Sequence, residues 1–271
     1  MAKTLDVGIE KERGYQIYKA NELVRQAKAD LNLTELKIMS YLFSKIRPDD
    51  DKLKEYEFDI KTFCKVCGLD YTSGHHYENI KKTINNLFGK RFWIIRPNGD
   101  EVGCQWIVKP VISRKSGKII VKLDEDIQQY VIGLTANFTQ YEFINVLPMA
   151  SSYSIRIYEM LLSYKSMKHV DFDIDDLKNK LMCQHYKSFA DVRRRVLEPA
   201  VEEINKYAND ISVQWEPLKQ GAKVVQVRFT IKEKEFKEKM LAMAETAGKL
   251  QADEDEDIEG QMTFEDVQKG K

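Results

Sequence analysis

The sequence predicts an α+β chain, mostly helical, in which one succession of elements is written twice and a disordered acidic tail follows. Three observations predict it. The order helix, strand, helix, turn, helix, β-hairpin can be read in residues 18–138 and again in residues 139–235. Residues 241–271 carry nine Asp and Glu against three Lys and Arg, while the preceding 240 carry 34 against 40, so a formal net charge of zero conceals an asymmetry. Residues 81–118 hold nine basic side chains against only Asp100 and Glu101, a pattern that suits a polyanion and equally an ordinary solvated face.

Composition narrows the class. A chain of 271 residues with 43% hydrophobic side chains can fill two ordinary cores. No apolar run approaches the ~18 residues of a membrane span, and the charged start MAKTLDVGIEKERGYQIYKA lacks the apolar stretch of a secretory leader. Cys64, Cys67, Cys104 and Cys183 are irregularly spaced, which fits reduced thiols and a cytoplasmic location.

In the first half, NELVRQAKADLNLTELKIMSYLFSKI reads as two helices, the second starting at Thr34 and Glu35 with Leu36, Ile38, Met39 and Leu42 on one face. EYEFDIKTFCKVCGLD gives a short strand and a short helix stopped by Gly68. YTSGHHYENIKKTINNLFGK is helical, with Tyr77, Ile80, Ile84 and Leu87 forming its stripe and an end near Gly89. RFWIIRP, VGCQWIVKPVISR and IIVKLDE are then strands separated by turns at NGD and KSGK.

The second half repeats the order. SSYSIRIYEMLLSYK is an amphipathic helix, HVDFDI a strand, DIDDLKNKLM a helix with Asp173 placed to cap it, and SFADVRRRVLEPAVEEINKY a longer helix. ISVQWEPLKQGAKVVQVRFTIKE is a hairpin turning at Gln220 and Gly221. This is the order of a winged helix-turn-helix, so the fold expected is two such domains in tandem.

The candidate site follows from that order. The second helix of a helix-turn-helix enters the major groove by its N-terminal residues. In the second domain those are Lys187, Ser188 and the triplet Arg193, Arg194 and Arg195. At 100° per residue Phe189, Val192, Val196, Ala200, Ile204 and Tyr207 share one face; Arg194 and Arg195 point away from it and Arg193 falls closer to it. Arginine suits both phosphate and the guanine edge. The plain alternative is a surface run paired with Asp191, Glu198 and Glu202 at helical spacing. Lys219 and Lys223, beside the hairpin tip, stand where a wing meets DNA backbone. In the first domain His75, Lys82, Asn79 and Asn86 face away from the apolar stripe, flanked by Lys81, and can reach phosphates or base edges; an ordinary polar face is again the alternative.

Other constellations are weaker. Cys64-x-x-Cys67 followed by His75-His76 imitates a zinc site, but the cysteines lie one turn apart beside Phe63 and Val66, where buried thiols explain them without metal. The adjacent histidines open a helix, unlike the spaced pair of a rolling-circle nickase. No G-x-x-x-x-G-K-[ST] loop, paired carboxylate or Ser/His/Asp arrangement stands out. A non-enzymatic protein without metal or cofactor is expected. In the tail, DEDEDIE is a solvated linker, and the island Met262, Phe264 and Val267 includes QMTF, which loosely resembles the peptides that dock into sliding clamps.

Three stretches within residues 18–232 resemble the replication initiators (Rep proteins) of iteron-containing plasmids: NELVRQAKADLNLTELKIMSYLFSKIRPDD, YSIRIYEMLLSYK and, most specifically, FADVRRRVLEPAVEEIN, whose arginine triplet and EEIN ending look like that family's DNA-reading helix. The resemblance implies two winged helices, binding of tandem origin repeats as monomers, origin opening with helicase loading, and repression of the protein's own promoter as dimers. Partners so implied are double-stranded DNA, a second copy in a monomer–homodimer equilibrium, and a host helicase or host initiator protein. A winged-helix transcriptional repressor is the alternative. The acidic tail has no counterpart in the pattern.

Overall fold

A computed structural model describes residues 7–27, 30–68, 75–95, 98–113 and 115–269; the side chains of Val7, His75, His76, Ile95 and residues 254–269 lie outside that description. The repeated order resolves into two winged-helix domains. In the first, helix α1 (Val7–Arg13), strand β1 (Gln16–Ala20) and α2 (Asn21–Gln26) precede α3 (Leu33–Ser44). The cap of α3 is Asn32 rather than a start at Thr34: Glu35 N–H donates to the Asn32 side chain and Asn32 N–H donates to the Glu35 carboxylate, satisfying two donors reciprocally.

Strand β2 (Glu55–Asp59) leads into α4 (Ile60–Cys67), whose N-cap Asp59 accepts from Thr62 N–H. Gly68 closes it at φ +60°, a left-handed conformation that favours glycine. Helix α5 (His75–Gly89) buries the expected Ile80, Ile84 and Leu87. The segment read as one strand, VGCQWIVKPVISR, divides at Trp106. Strand β3 (Arg91–Ile95) pairs with β4 (Glu101–Gln105), whereas β5 (Ile107–Ser113) joins β6 (Lys118–Leu123) and β2 in a separate sheet ordered β2-β6-β5. The indole of Trp106 is buried on Phe92 with ring centroids 4.0 Å apart, and the Gln105 N–H goes to the Asp124 carboxylate. Burying a large ring at that point turns the chain between sheets.

Strand β7 (Phe138–Glu142) pairs antiparallel with β1, Ile17 opposite Tyr141. Residue 138 is thus the first of a strand that returns to the N-terminal segment. The second domain follows as α6 (Ser152–Leu162), β8 (His169–Asp173), α7 (Ile174–Lys180), α8 (Phe189–Val192), a π-helical turn at Arg193–Leu197, α9 (Glu198–Tyr207), β9 (Ile211–Gln220) and β10 (Lys223–Glu233). Its sheet is ordered β8-β10-β9.

Helix α6 departs from the amphipathic reading. Every residue from Ser154 to Leu162 is buried, Arg156 and Glu159 included, because the first domain covers the face that sequence pattern assigns to water. Lys19 of β1 bonds Glu159 at 2.5 Å, Tyr141 of β7 donates to the same carboxylate oxygen, and Arg156 donates to the Ala27 carbonyl at 2.8 Å. One continuous cluster of buried residues spans both domains.

The last helix, α10 (Phe236–Lys269), corrects the tail in part. Ala242, Thr246 and Leu250, four apart, are buried. The Thr246 hydroxyl donates to the Tyr207 carbonyl, and Leu250 comes within 3.2 Å of where a β-carbon on Gly68 would sit. Residues 241–253, expected to begin a disordered tail, are therefore helix packed on α9 and on the first domain. Small and apolar side chains at helical spacing supply the contact despite the surrounding charge. Residues 254–271, with all of DEDEDIE but its first residue Asp253, and with Met262, Phe264 and Val267, lie outside the described side chains. Among the described residues no helix is long and apolar enough to cross a membrane.

The buried pair generates a stability prediction. Glu159→Leu leaves the Lys19 ammonium unpaired in the core and lowers stability by about 3–5 kcal/mol. The double replacement Lys19→Met, Glu159→Leu recovers most of that loss. Urea midpoints measured at constant m-value check both.

Candidate nucleic-acid interface

The helix-turn-helix of the second domain is built by local caps. Asp173 accepts from the N–H groups of Asp175 and Asp176 and so starts α7 as expected. The chain turns through Met182, at φ +54°, while Leu181 and Cys183 are buried beneath it. Ser188 starts α8: its hydroxyl accepts from Asp191 N–H at 3.1 Å and donates to the Asp191 carboxylate at 2.7 Å. That bond, with the Arg194 and Arg195 charges, holds the Asp191 carboxyl below its usual range.

The arginine triplet does not act as a unit. Its side chains are 56%, 67% and 55% exposed in order, so all three are available to a ligand. Arg193 pairs with Glu198 at 3.1 Å, Arg194 with Asp191 at 3.2 Å, and Arg195 lies 3.9 Å from Asp191 and 5.9 Å from the centre of the Tyr186 ring. The ion-paired arrangement weighed from sequence is thus present for Asp191 and Glu198. Arg193, closer to the apolar face on a helical wheel yet named among the DNA-contact candidates, lies on the outside.

The hairpin forms as read, with β9 ending at Gln220, Gly221 at φ +63°, and β10 beginning at Lys223 opposite Gln220. Its tip folds toward α8 and encloses an open groove of about 740 Å³. Lys187, Arg193, Lys219 and Lys223, four of the predicted residues, line this groove, as does Lys178 of α7, which the sequence reading missed. Asp175 and Glu198 are its acids, and Phe189 and Trp215 meet edge to face within it at 6.3 Å. Five cations against two carboxylates give it the charge to suit an anionic, extended ligand. Lys178 carried a signal only in hindsight of topology: it sits in the last turn of the first helix of the motif, the helix that crosses the DNA backbone in such folds. Arg194 and Arg195 flank the groove without lining it.

The first domain is less assembled. On α5, Lys82 and Asn86 are exposed, and Lys81 lies 3.9 Å from Glu78. His75 is the first residue of α5 and its side chain lies outside the described residues. The basic run of residues 81–118 is not one free surface. Lys90 is spent on Glu35 at 2.6 Å and Lys118 on Glu57 at 2.5 Å, while Arg96 and Arg114 lie outside the described residues. Cys64 and Cys67 are buried in the core of α4, where burial pushes the Cys67 thiol well up. Among the described residues no three His, Cys, Asp or Glu are grouped to hold a metal.

Two family models cover most of the chain, the first of them running through α6. Residues 16–162 match the family described as Initiator Replication protein, WH1, and residues 173–231 that described as Initiator Rep protein, WH2. A replication initiation protein of Escherichia coli is 25% identical over 205 residues, which cover 71% of this chain and 63% of that protein, so the match spans less than two thirds of the relative. The crystal structure of the Pi initiator protein in complex with iteron DNA shares the fold, with a TM-score of 0.67 at 20% identity, covering 82% of this chain and 99% of that one. Helix α10 lies beyond both family matches.

Two substitutions separate the roles of the local contacts in α8 and the π turn. Ser188→Ala removes the cap of α8 and lowers stability by about 1 kcal/mol. Arg194→Ala removes only an exposed ion pair and changes stability by less than about 1 kcal/mol. Denaturant midpoints of the two variants, measured side by side, check the difference.

Proposed function

This chain belongs to the initiator replication protein family, and we propose that it starts plasmid replication by binding repeated duplex sequences, iterons, at an origin. The observation that carries the proposal is the groove between α8 and the β9–β10 wing, where Lys178, Lys187, Arg193, Lys219 and Lys223 converge at the N-terminal end of the second helix of a helix-turn-helix. In this reading α8 enters the major groove. Arg194 and Arg195 exchange their exposed carboxylate partner for phosphate or a guanine edge, and the wing lysines clamp the flanking backbone. The swap costs little, because exposed ion pairs contribute little to stability.

The first domain engages the neighbouring part of the repeat through α5, with Lys81, Lys82, His75 and Asn86 on the DNA side. Copies seated on adjacent repeats strain the duplex, and a host helicase, host initiator protein or sliding clamp acts on the opened strands. A dimer of the same chain represses its own promoter. The protein itself supplies binding energy and geometry and performs no covalent chemistry. Footprinting on the plasmid's own origin, followed by permanganate probing of that origin in supercoiled plasmid, tests the proposal. Protected repeats with adjacent unpaired thymines are expected. Protection confined to a promoter, with no opening, makes the protein a repressor instead.

Two variants locate the interface. Arg195→Ala weakens specific binding by about 1–3 kcal/mol while the melting temperature holds. Lys82→Ala lowers the slope of log affinity against log salt by roughly one unit on any sequence. An unchanged slope removes α5 from the interface.

A further inference from the structure

Pro199 does not line the groove, yet it stands next to the irregularity that decides where Arg193 points. Ala200, Ile204 and Tyr207 mark the buried face of α9. Counting back from them at 100° per residue puts Arg193 within about 20° of the centre of that face, and Val192 at its edge. A straight helix would drive the Arg193 guanidinium into the core. In the structure Arg193 is 56% exposed on the wall of the groove and Val192 is fully buried.

The helix is not straight in its winding. Glu198 N–H donates to the Arg193 carbonyl, five residues back, and residues Arg193–Leu197 form a π turn. Such a turn holds about one residue more than an α turn, so everything before it is rotated by roughly 100° against everything after it. That rotation takes Arg193 off the buried face and brings Val192 onto it. The cause is two residues past the turn. Proline has no N–H to give the carbonyl four residues earlier, and its ring collides with that carbonyl, here Arg195. An α-helical path through position 199 is blocked, and the wider turn relieves it.

We propose that Pro199 is a positioning residue for the DNA interface: by holding the π turn open it swings Arg193 from the core side of the helix into the groove between α8 and the wing. The proposal rests on the reading of that groove as the DNA-binding surface. It also explains why the triplet splits, since a single widened turn sends Arg193 to the groove and leaves Arg194 and Arg195 beside Asp191.

The test uses the full chain with Pro199→Ala, and with Pro199→Ser as a second variant that likewise restores an N–H. Crystal structures of the variants report the turn, and affinity is measured on a duplex carrying the plasmid's own origin repeats. The expected result is an α-helical bond pattern through residues 193–199 with the Arg193–Glu198 pair lost. Affinity falls about tenfold, measured at a temperature where the natural chain and both variants are fully folded. Arg193→Ala added to Pro199→Ala then weakens binding no further, whereas a purely structural role for Pro199 gives additive losses and overturns the proposal. A π turn that persists in both variants also overturns it, whatever the affinity. The groove reading fails separately: Arg193→Ala in the otherwise natural chain would leave binding unchanged, whichever form the turn takes.

Discussion

The ion pair between Lys19 and Glu159 joins the β1–β7 ribbon to helix α6, the buried helix that packs against α2 and α3 on one side and α9 on the other. Removing two charges from water costs several kcal/mol for each, and their attraction repays this only when geometry and further hydrogen bonds are in place. Here they are. Burial alone would raise the Glu159 carboxyl, but the Lys19 ammonium and hydrogen bonds from Lys19 and Tyr141 hold it below its usual range, so it stays ionised in the core. The Lys19 ammonium also lies over the Phe43 ring at 4.7 Å. The pair's importance is in what it excludes: any shift of α6 along the ribbon strands a charge among Leu23, Met39 and Phe43.

From α6 the constraint passes to α9. The Tyr158 hydroxyl donates to Asp210 and accepts from Asn145, whose carbonyl in turn accepts from Asn209 N–H. Glu203 of α9 accepts from Ala150 N–H at the start of α6. Lys234 donates to the carbonyls of Asn205 and Ala208, closing the C-terminal end of α9. These bonds hold the C-terminal half of α9, and the π turn that carries the arginines joins it to α8. Helix α10 adds a second tie, since its buried face touches Tyr207 of one domain and Gly68 of the other. If both domains bind one length of duplex, as proposed, such ties would fix the spacing between their helices to that of the grooves.

Much of this was legible beforehand, for identifiable reasons. Asp173 and Gly68 act within a few residues of themselves, so that cap and that stop could be read from local chemistry, whereas the equally local caps Asp59 and Ser188 were not anticipated. The α5 stripe and the hairpin at Gly221 depend on periodicity and one left-handed residue. Other elements were hidden because their partners are far away in the chain. Strands β1 and β7 make sense only together, about 120 residues apart. The break at Trp106 depends on the position of Phe92, and the packed part of α10 on the surface that α9 and Gly68 leave for it.

What the sequence by itself determined is the kind of site: a helix-turn-helix with a wing, basic at the start of its second helix, because element order and charge are properties of neighbouring residues. Tertiary structure decided which cations share a groove. Lys178 and Lys187 enter it from α7 and the turn, Lys219 and Lys223 from the wing, and Arg193 through a rotation that a helical wheel cannot show. It also decided that Lys90 and Lys118 are occupied by carboxylates and that Arg156 and Glu159 belong to the core. The physical reason is common to all of them. Whether a charged side chain meets solvent, ligand or an opposite charge is set by what packs beside it, and apart from Arg193, turned by its own helix, those neighbours come from distant parts of the chain.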